Sequence, residues 1–148
     1  MKNLFLLLSR NFLFLLLMTT PLVSVSQLTV ALAGLSHDHV SGVLQRYTSK
    51  KVNIVGIAES DPVLISRYKQ RFHLDDSLFY PDLKTLLKTK HPQAVMAFNA
   101  IAEHLAVVEI CAPLGIHVMV EKPLAVSVEH ALKMESLAKR SFCSDFWH

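Results

Sequence analysis

From residue 28 onward the chain alternates two patterns: short unbroken apolar runs, and longer stretches whose apolar residues recur every three or four positions. Residues 28–33 (LTVALA) are the first run, ending at Gly34, and predict a buried strand. Val40, Val43, Leu44 and Tyr47 then follow at helical spacing. Residues 52–58 (VNIVGIA) are a second strand-like run, closed by Glu59. Asp61-Pro62 combines a capping acid with a first-turn proline and predicts a helix to about Phe72.

The alternation continues to the end of the pattern. Residues 77–80 predict a short strand, and Asp82 caps a helix through Leu83, Leu86 and Leu87. Residues 94–98 predict another strand, residues 103–114 a helix closed by Gly115, and residues 116–120 a further strand. Ser127 caps a last helix through Leu132, Glu135 and Ala138, without the Glu or Gln that completes a capping box. Strand and helix alternating at this spacing imply right-handed crossovers onto a parallel sheet. Unbroken apolar runs fit strands covered on both faces. The predicted fold is a doubly wound α/β domain of Rossmann type.

Composition changes the picture mainly at the N-terminus. Half of the 148 residues are hydrophobic, but part of that comes from residues 1–26. There Lys2 and Arg10 flank a mixed start, residues 12–18 are apolar, and Pro21 precedes small residues at Ser24 and Ser26. This is the layout of a secretory signal peptide cleaved after Ser26, which predicts an exported, periplasmic or extracytoplasmic protein that meets the membrane only during export. Arg10 leaves too short an apolar run for a membrane-spanning anchor. No cysteine precedes Cys111, and no arginine pair occurs near the start, which favours the general export route. Of 15 basic residues, removal of Lys2 and Arg10 leaves 13 against 12 acidic ones. That near-neutral balance, without a basic stripe, gives no case for nucleic acid. Two cysteines make no disulfide framework, and Cys111 falls in an apolar helical pattern as a packed thiol.

In a doubly wound sheet, ligands bind beyond the carboxyl ends of the strands. Three features fall there: the segment Gly34-Leu35-Ser36-His37-Asp38-His39, Glu59, and the loop Glu121-Lys122-Pro123. An acid at position 59 can accept hydrogen bonds from an adenosine ribose and repel a 2′-phosphate. His37, Asp38 and His39 also invite a metal reading. Positions i and i+2 at a helix start do not share a face, and no second ligand group has metal spacing, so no metal is expected. The histidines are expected to contact ligand or to cap the first helix, whose amides suit phosphate.

Residues 102–139 (AEHLAVVEICAPLGIHVMVEKPLAVSVEHALKMESLAK) closely resemble the Gfo/Idh/MocA oxidoreductases, the glucose–fructose oxidoreductase and inositol dehydrogenase type. His104, Gly115, His117-Val118 and Glu121-Lys122-Pro123 recur in that family's order, and VALAGLSHDHV and VNIVGIAESDP fit its first two strand ends. The resemblance covers about residues 28–140. It implies an NAD(P)-binding Rossmann domain, in which the charge of Glu59 favours NAD over NADP, followed in relatives by a second α/β domain that holds much of the substrate site. It also implies hydride exchange with a sugar, polyol or related compound. Some exported relatives instead hydrolyse glycosides through transient oxidation by NAD.

On this resemblance Lys122 is the catalytic candidate, orienting or helping to deprotonate a substrate hydroxyl. The cofactor-binding candidates are Gly34, Ser36, His37, His39, Glu59, Asn99, His104, Glu121, Lys122 and Pro123. The match departs from the family in three places. Ser36 and His39 stand where G-x-G-x-x-G has its second and third glycines. Asn99-Ala100 replaces a common Thr-Pro. After Lys139 the tail RSFCSDFWH resembles neither a strand nor the family, so the chain reads as the Rossmann half of such an enzyme, without its second domain and inactive alone. A non-catalytic nucleotide-binding fragment and a part of an NAD-dependent glycosidase are the alternatives. Self-association is left open for the full-length form.

Overall fold

The computed structural model describes residues 27–142. The expected export signal and the end of the atypical tail, residues 143–148, lie outside the described residues. Five strands form one parallel sheet: β1 (Thr29–Ala33), β2 (Asn53–Ala58), β3 (Phe79–Tyr80), β4 (Ala94–Ala97) and β5 (His117–Val120). Their spatial order is β3-β2-β1-β4-β5. Among the described residues, five α-helices connect or follow them: α1 (Val40–Thr48), α2 (Pro62–Phe72), α3 (Leu83–Thr89), α4 (His104–Cys111) and α5 (Val128–Phe142). The chain moves outward from β1 to β3 and then returns to β4 on the other side of β1. The topological switch point, where doubly wound sheets open a crevice, therefore lies between β1 and β4.

Alternation along β1 divides the core. Val30 and Leu32 join Leu35, Val40, Leu44, Tyr68 and Phe98 on one face. Ala31 and Ala33 face Leu83, Leu86, Val107 and Cys111 on the other. The second face is lined by small residues, Ala31, Ala33, Ala58 and Ala97, so that layer is filled by the leucines and valines of its helices. The β1–β2 register slips between Val30 and Ala31, pairing Ile54 and then Gly56 with β1 and leaving Val55 over. This bulge shifts the side-chain phase, so that Ile54 and Ile57 both enter the first core layer. Gly56 sits where a Cβ would lie 3.0 Å from Leu86 Cδ1. Cys111 is fully buried, and burial pushes its thiol up to about 12, which makes it a packing group rather than a nucleophile.

Three elements differ from their sequence patterns. Residues 76–78 form a 3-10 turn rather than the start of a strand, because the Asp75 carboxylate accepts the Ser77 amide at 2.8 Å and tightens the chain there. Only Phe79 and Tyr80 remain to pair with β2. The helix expected over 103–114 is α only for His104–Cys111, with 3-10 turns at Ile101–Glu103 and Ala112–Leu114. Pro113 lacks the amide that would continue the α pattern, and Gly115 closes the segment at φ +68°. On β5 burial alternates instead of running through, because this strand has one neighbour and a less covered face. Exposed apolar residues gather on that side, among them Met119, Leu124, Val126, Val128 and Leu132. A mainly apolar cavity of about 260 Å³ lies there, between α4, β5 and α5. No helix among the described residues is long and apolar enough to cross a membrane.

Candidate functional site

The strand register brings the candidate residues to one edge. Ala33 pairs with both Ala58 and Ala97, and Ala97 with Val120, so β1, β2, β4 and β5 end level with one another. Gly34, Glu59 and Glu121 each follow immediately, and Asn99 stands two residues beyond β4. At the switch point the two flanking segments touch. Gly34 has φ +81°, and an added Cβ would lie 2.5 Å from Asn99 Cβ and 2.7 Å from its Cα. Backbone bonds lock the turn in place. The Gly34 amide donates to Ala58 O at 2.8 Å, Phe98 N to Ala33 O at 2.8 Å, and His37 N to Phe98 O at 2.8 Å.

A cleft of about 450 Å³ opens over this edge, lined by Gly34, Ser36, Glu59 and Asn99 among others. Glu59 is the organiser of its floor. One carboxylate oxygen accepts the Leu35 amide at 2.9 Å, and the other accepts the Ser60 and Asp61 amides at 2.8 and 2.9 Å. Ser36, in the place of a second glycine, donates its hydroxyl to Phe98 O at 3.2 Å, so the group is turned toward β4's end. Among the described residues, the backbone amides of Ser36 and Asp38 have no protein acceptor, and buried Asn99 Oδ1 has no donor. Free amides on a strand-to-helix loop and an unpaired carbonyl in the cleft are what a phosphate and a hydroxyl- or amide-bearing ligand would satisfy.

Two further acids line the same cleft that the sequence reading placed only at helix starts. Asp82 caps α3 by accepting the Thr85 amide at 2.7 Å, and Glu103 accepts the Ala100 amide at 3.0 Å. The signal was present in their positions, since a residue that caps a helix following a strand stands at the strand's carboxyl end. The Thr85 backbone and hydroxyl hold the Asp82 carboxyl below the usual carboxylate range. Among the described residues, no lysine or arginine lines the cleft.

His37, His39 and Glu121 do not line that cleft; they form a second cluster. His39 occupies the N-cap position of α1 but makes no side-chain cap. Its ring turns away to Glu121, with Nδ1 2.9 Å from Oε1. The hydrogen bond from His39 is the main cause holding the Glu121 carboxyl below its ordinary range, supported by the Lys122 amide and the nearby imidazoles. The expectation of a histidine helix cap is thus corrected: a carboxylate brought from β5 is a better partner for the ring than amides already bonded within the first turn.

Lys122 is exposed at the end of β5, its amide donating to Glu121 Oε2 at 3.1 Å, and the following peptide to Pro123 is cis. His104 is completely buried at the start of α4 and does not open into the cleft. Its Nδ1 lies 3.1 Å from Leu124 O, so it holds the chain just beyond Glu121-Lys122-Pro123, while its buried Nε2 has no partner among the described residues.

Residues 28–144 match the model of an oxidoreductase family with an NAD-binding Rossmann fold. A curated relative, 1-carboxy-3-chloro-3,4-dihydroxycyclohexa-1,5-diene dehydrogenase of Comamonas testosteroni, is 28% identical over 92 residues, which are 62% of this chain and 23% of that protein. Among solved structures, the WlbA dehydrogenase of Chromobacterium violaceum, in complex with NADH and UDP-GlcNAcA, superposes with a TM-score of 0.68 at 19% identity. That match covers 83% of this chain and 35% of the other. The myo-inositol 2-dehydrogenase of Lactobacillus plantarum gives 0.64 at 19% identity, covering 78% and 34%. This chain therefore spans about a quarter of the curated relative and about a third of these structures. The family match, the sheet order and the cleft at the switch point agree: the chain belongs to the Gfo/Idh/MocA oxidoreductase family and is its NAD-binding Rossmann domain.

Proposed function

We propose that this domain binds NAD in preference to NADP and serves hydride exchange with a sugar, polyol or related compound. The observation that carries the reading is the convergence of Gly34, Ser36, Glu59 and Asn99 on one cleft at the switch point. The free amides of Ser36 and Asp38 suit the pyrophosphate. A carboxylate has about four lone-pair sites. Three amides occupy Glu59, which leaves room for one ribose hydroxyl. A 2′-phosphate would meet Glu59, Asp82 and Glu103, with no cation among the described residues to balance it.

When bound, NAD supplies the hydride acceptor. Lys122 then carries the protein's part at the substrate: its ammonium steadies the negative charge that develops on a hydroxyl oxygen as the carbon gives up hydride. Glu121 and His104 fix the segment that presents Lys122, the first through its amide and the second through Leu124. A thermal-shift titration tests the cofactor reading. NADH is expected to raise the melting temperature saturably, with NADPH binding about tenfold or more weaker, since like charges at the ribose cost about 1.4 kcal/mol per tenfold. Equal effects of the two cofactors would contradict the role given to Glu59 and its acidic neighbours.

Export is proposed on the layout of residues 1–26. Protein recovered from outside the cytoplasm is expected to begin at Gln27 on N-terminal sequencing. Recovery only of a cytoplasmic chain that still begins at Met1 would contradict it.

A further inference from the structure

We propose that His37, His39 and Glu121 form a binding site for a divalent transition cation of borderline softness, such as Zn²⁺ or Co²⁺, between the start of α1 and the end of β5. Each residue offers one ligand atom, and these atoms all lie within 4.8 Å of one another. Imidazole nitrogens and a carboxylate oxygen are donors that such cations accept. Three protein ligands leave a fourth position for water or an oxygen-bearing molecule.

A simple ion-pair strap accounts for His39 and Glu121 but not for His37. The strap is complete with His39 Nδ1 at 2.9 Å from Oε1. His37 nevertheless comes to the same point, edge-on to the His39 ring with 4.6 Å between centroids. Its Nδ1 accepts the His39 amide at 3.3 Å, a long hydrogen bond that is cheaply given up.

The distances suit a small ion. Ligand atoms around a tetrahedral centre with bonds of about 2.0–2.1 Å stand about 3.3 Å apart. The His39–Glu121 separation is already inside that span. The widest separation in the group exceeds it by no more than about 1.5 Å. His37 precedes the helix on a loop, so rotation about its side-chain bonds closes the gap. Spacing i, i+2 does not keep the two rings apart here: neither histidine is held on a helical face, and the third ligand comes from 82 residues away. None of the three side chains lines the dinucleotide cleft. His37 and His39 nevertheless flank the Asp38 amide given to the pyrophosphate, and Glu121 fixes the segment that presents Lys122, so cation binding is read on the chain without NAD.

The test is a Co²⁺ titration of the full chain, without a polyhistidine tag, followed by visible absorption. Saturable, stoichiometric bands of four-coordinate cobalt are expected, bleached by one equivalent of Zn²⁺, which binds such donors more tightly. His37→Ala keeps the His39–Glu121 strap and is expected to weaken cobalt by about tenfold or more; Glu121→Gln, by the same measure, loses at least as much. Circular dichroism melts of both variants show whether the fold persists. Absence of saturable bands up to millimolar Co²⁺ overturns the proposal. Bands unchanged in a folded His37→Ala overturn it equally. An NADH titration of the unaltered chain, run separately, distinguishes this failure from failure of the cofactor reading.

Discussion

Gly34→Ala is expected to destabilise the domain by roughly 3 kcal/mol or more, enough to unfold much of a marginally stable population. Two penalties combine. An L-residue at φ +81° sits in the left-handed region, at a cost of about 1–2 kcal/mol. The new methyl would also overlap Asn99 at 2.5–2.8 Å, and two of the three atoms met are backbone. No rotamer relieves that contact; β1 and β4 would have to separate at the point where Phe98 N bonds Ala33 O. Gly42→Ala is the control. It lies within α1, where an added Cβ meets nothing within 4 Å, so alanine should stabilise by about 0.5–1 kcal/mol. Urea unfolding of the two variants reads both effects, and a Gly34→Ala midpoint equal to the unaltered chain's would refute the account of the turn.

Glu59→Ala is expected to cost about 2 kcal/mol of stability and to weaken NADH by tenfold or more. Its carboxylate ties the glycine turn to the end of β2 through Leu35, and closes the turn into α2 through Ser60 and Asp61. Alanine leaves three amides to water and lets Leu35 and Gly34 drift from the ligand. Glu59→Gln should fall between the two, since its amide nitrogen would face at least one backbone donor. Unfolding midpoints and NADH titrations below each variant's melting range separate the two consequences. Undiminished NADH affinity in a folded Glu59→Ala would show that the residue is only a structural clamp. The Gly34 and Glu59 effects share one loop and are not expected to add.

Much of this was legible because central strands leave a plain trace. β1 and β2 are covered on both faces and stand out as unbroken apolar runs, and Gly34 and Glu59 mark their ends. The bulge at Val55 left no trace, since a run without alternation hides a change of phase. β3 was overread because Leu78, Phe79 and Tyr80 are all apolar while the deciding interaction is a side-chain bond from Asp75. The site divided in the same way. Residues adjoining strand ends were placed correctly at the carboxyl edge, because the parallel fold carries every such end to one side. Which of them meet was not legible. That His39 turns to Glu121 and His104 to Leu124 depends on packing between segments 82 and 20 residues apart. A buried histidine that steadies a loop and one that touches a ligand look alike in a sequence.

Amide chemical shifts of the isotope-labelled chain, followed during an NADH titration, test the central claim most directly. The account predicts saturable one-to-one binding, with the largest changes at residues 34–38, 59–61 and 99–100 around the switch-point cleft. Absence of saturable change through millimolar NADH, or changes confined to the apolar side formed by β5 and α5, would contradict it.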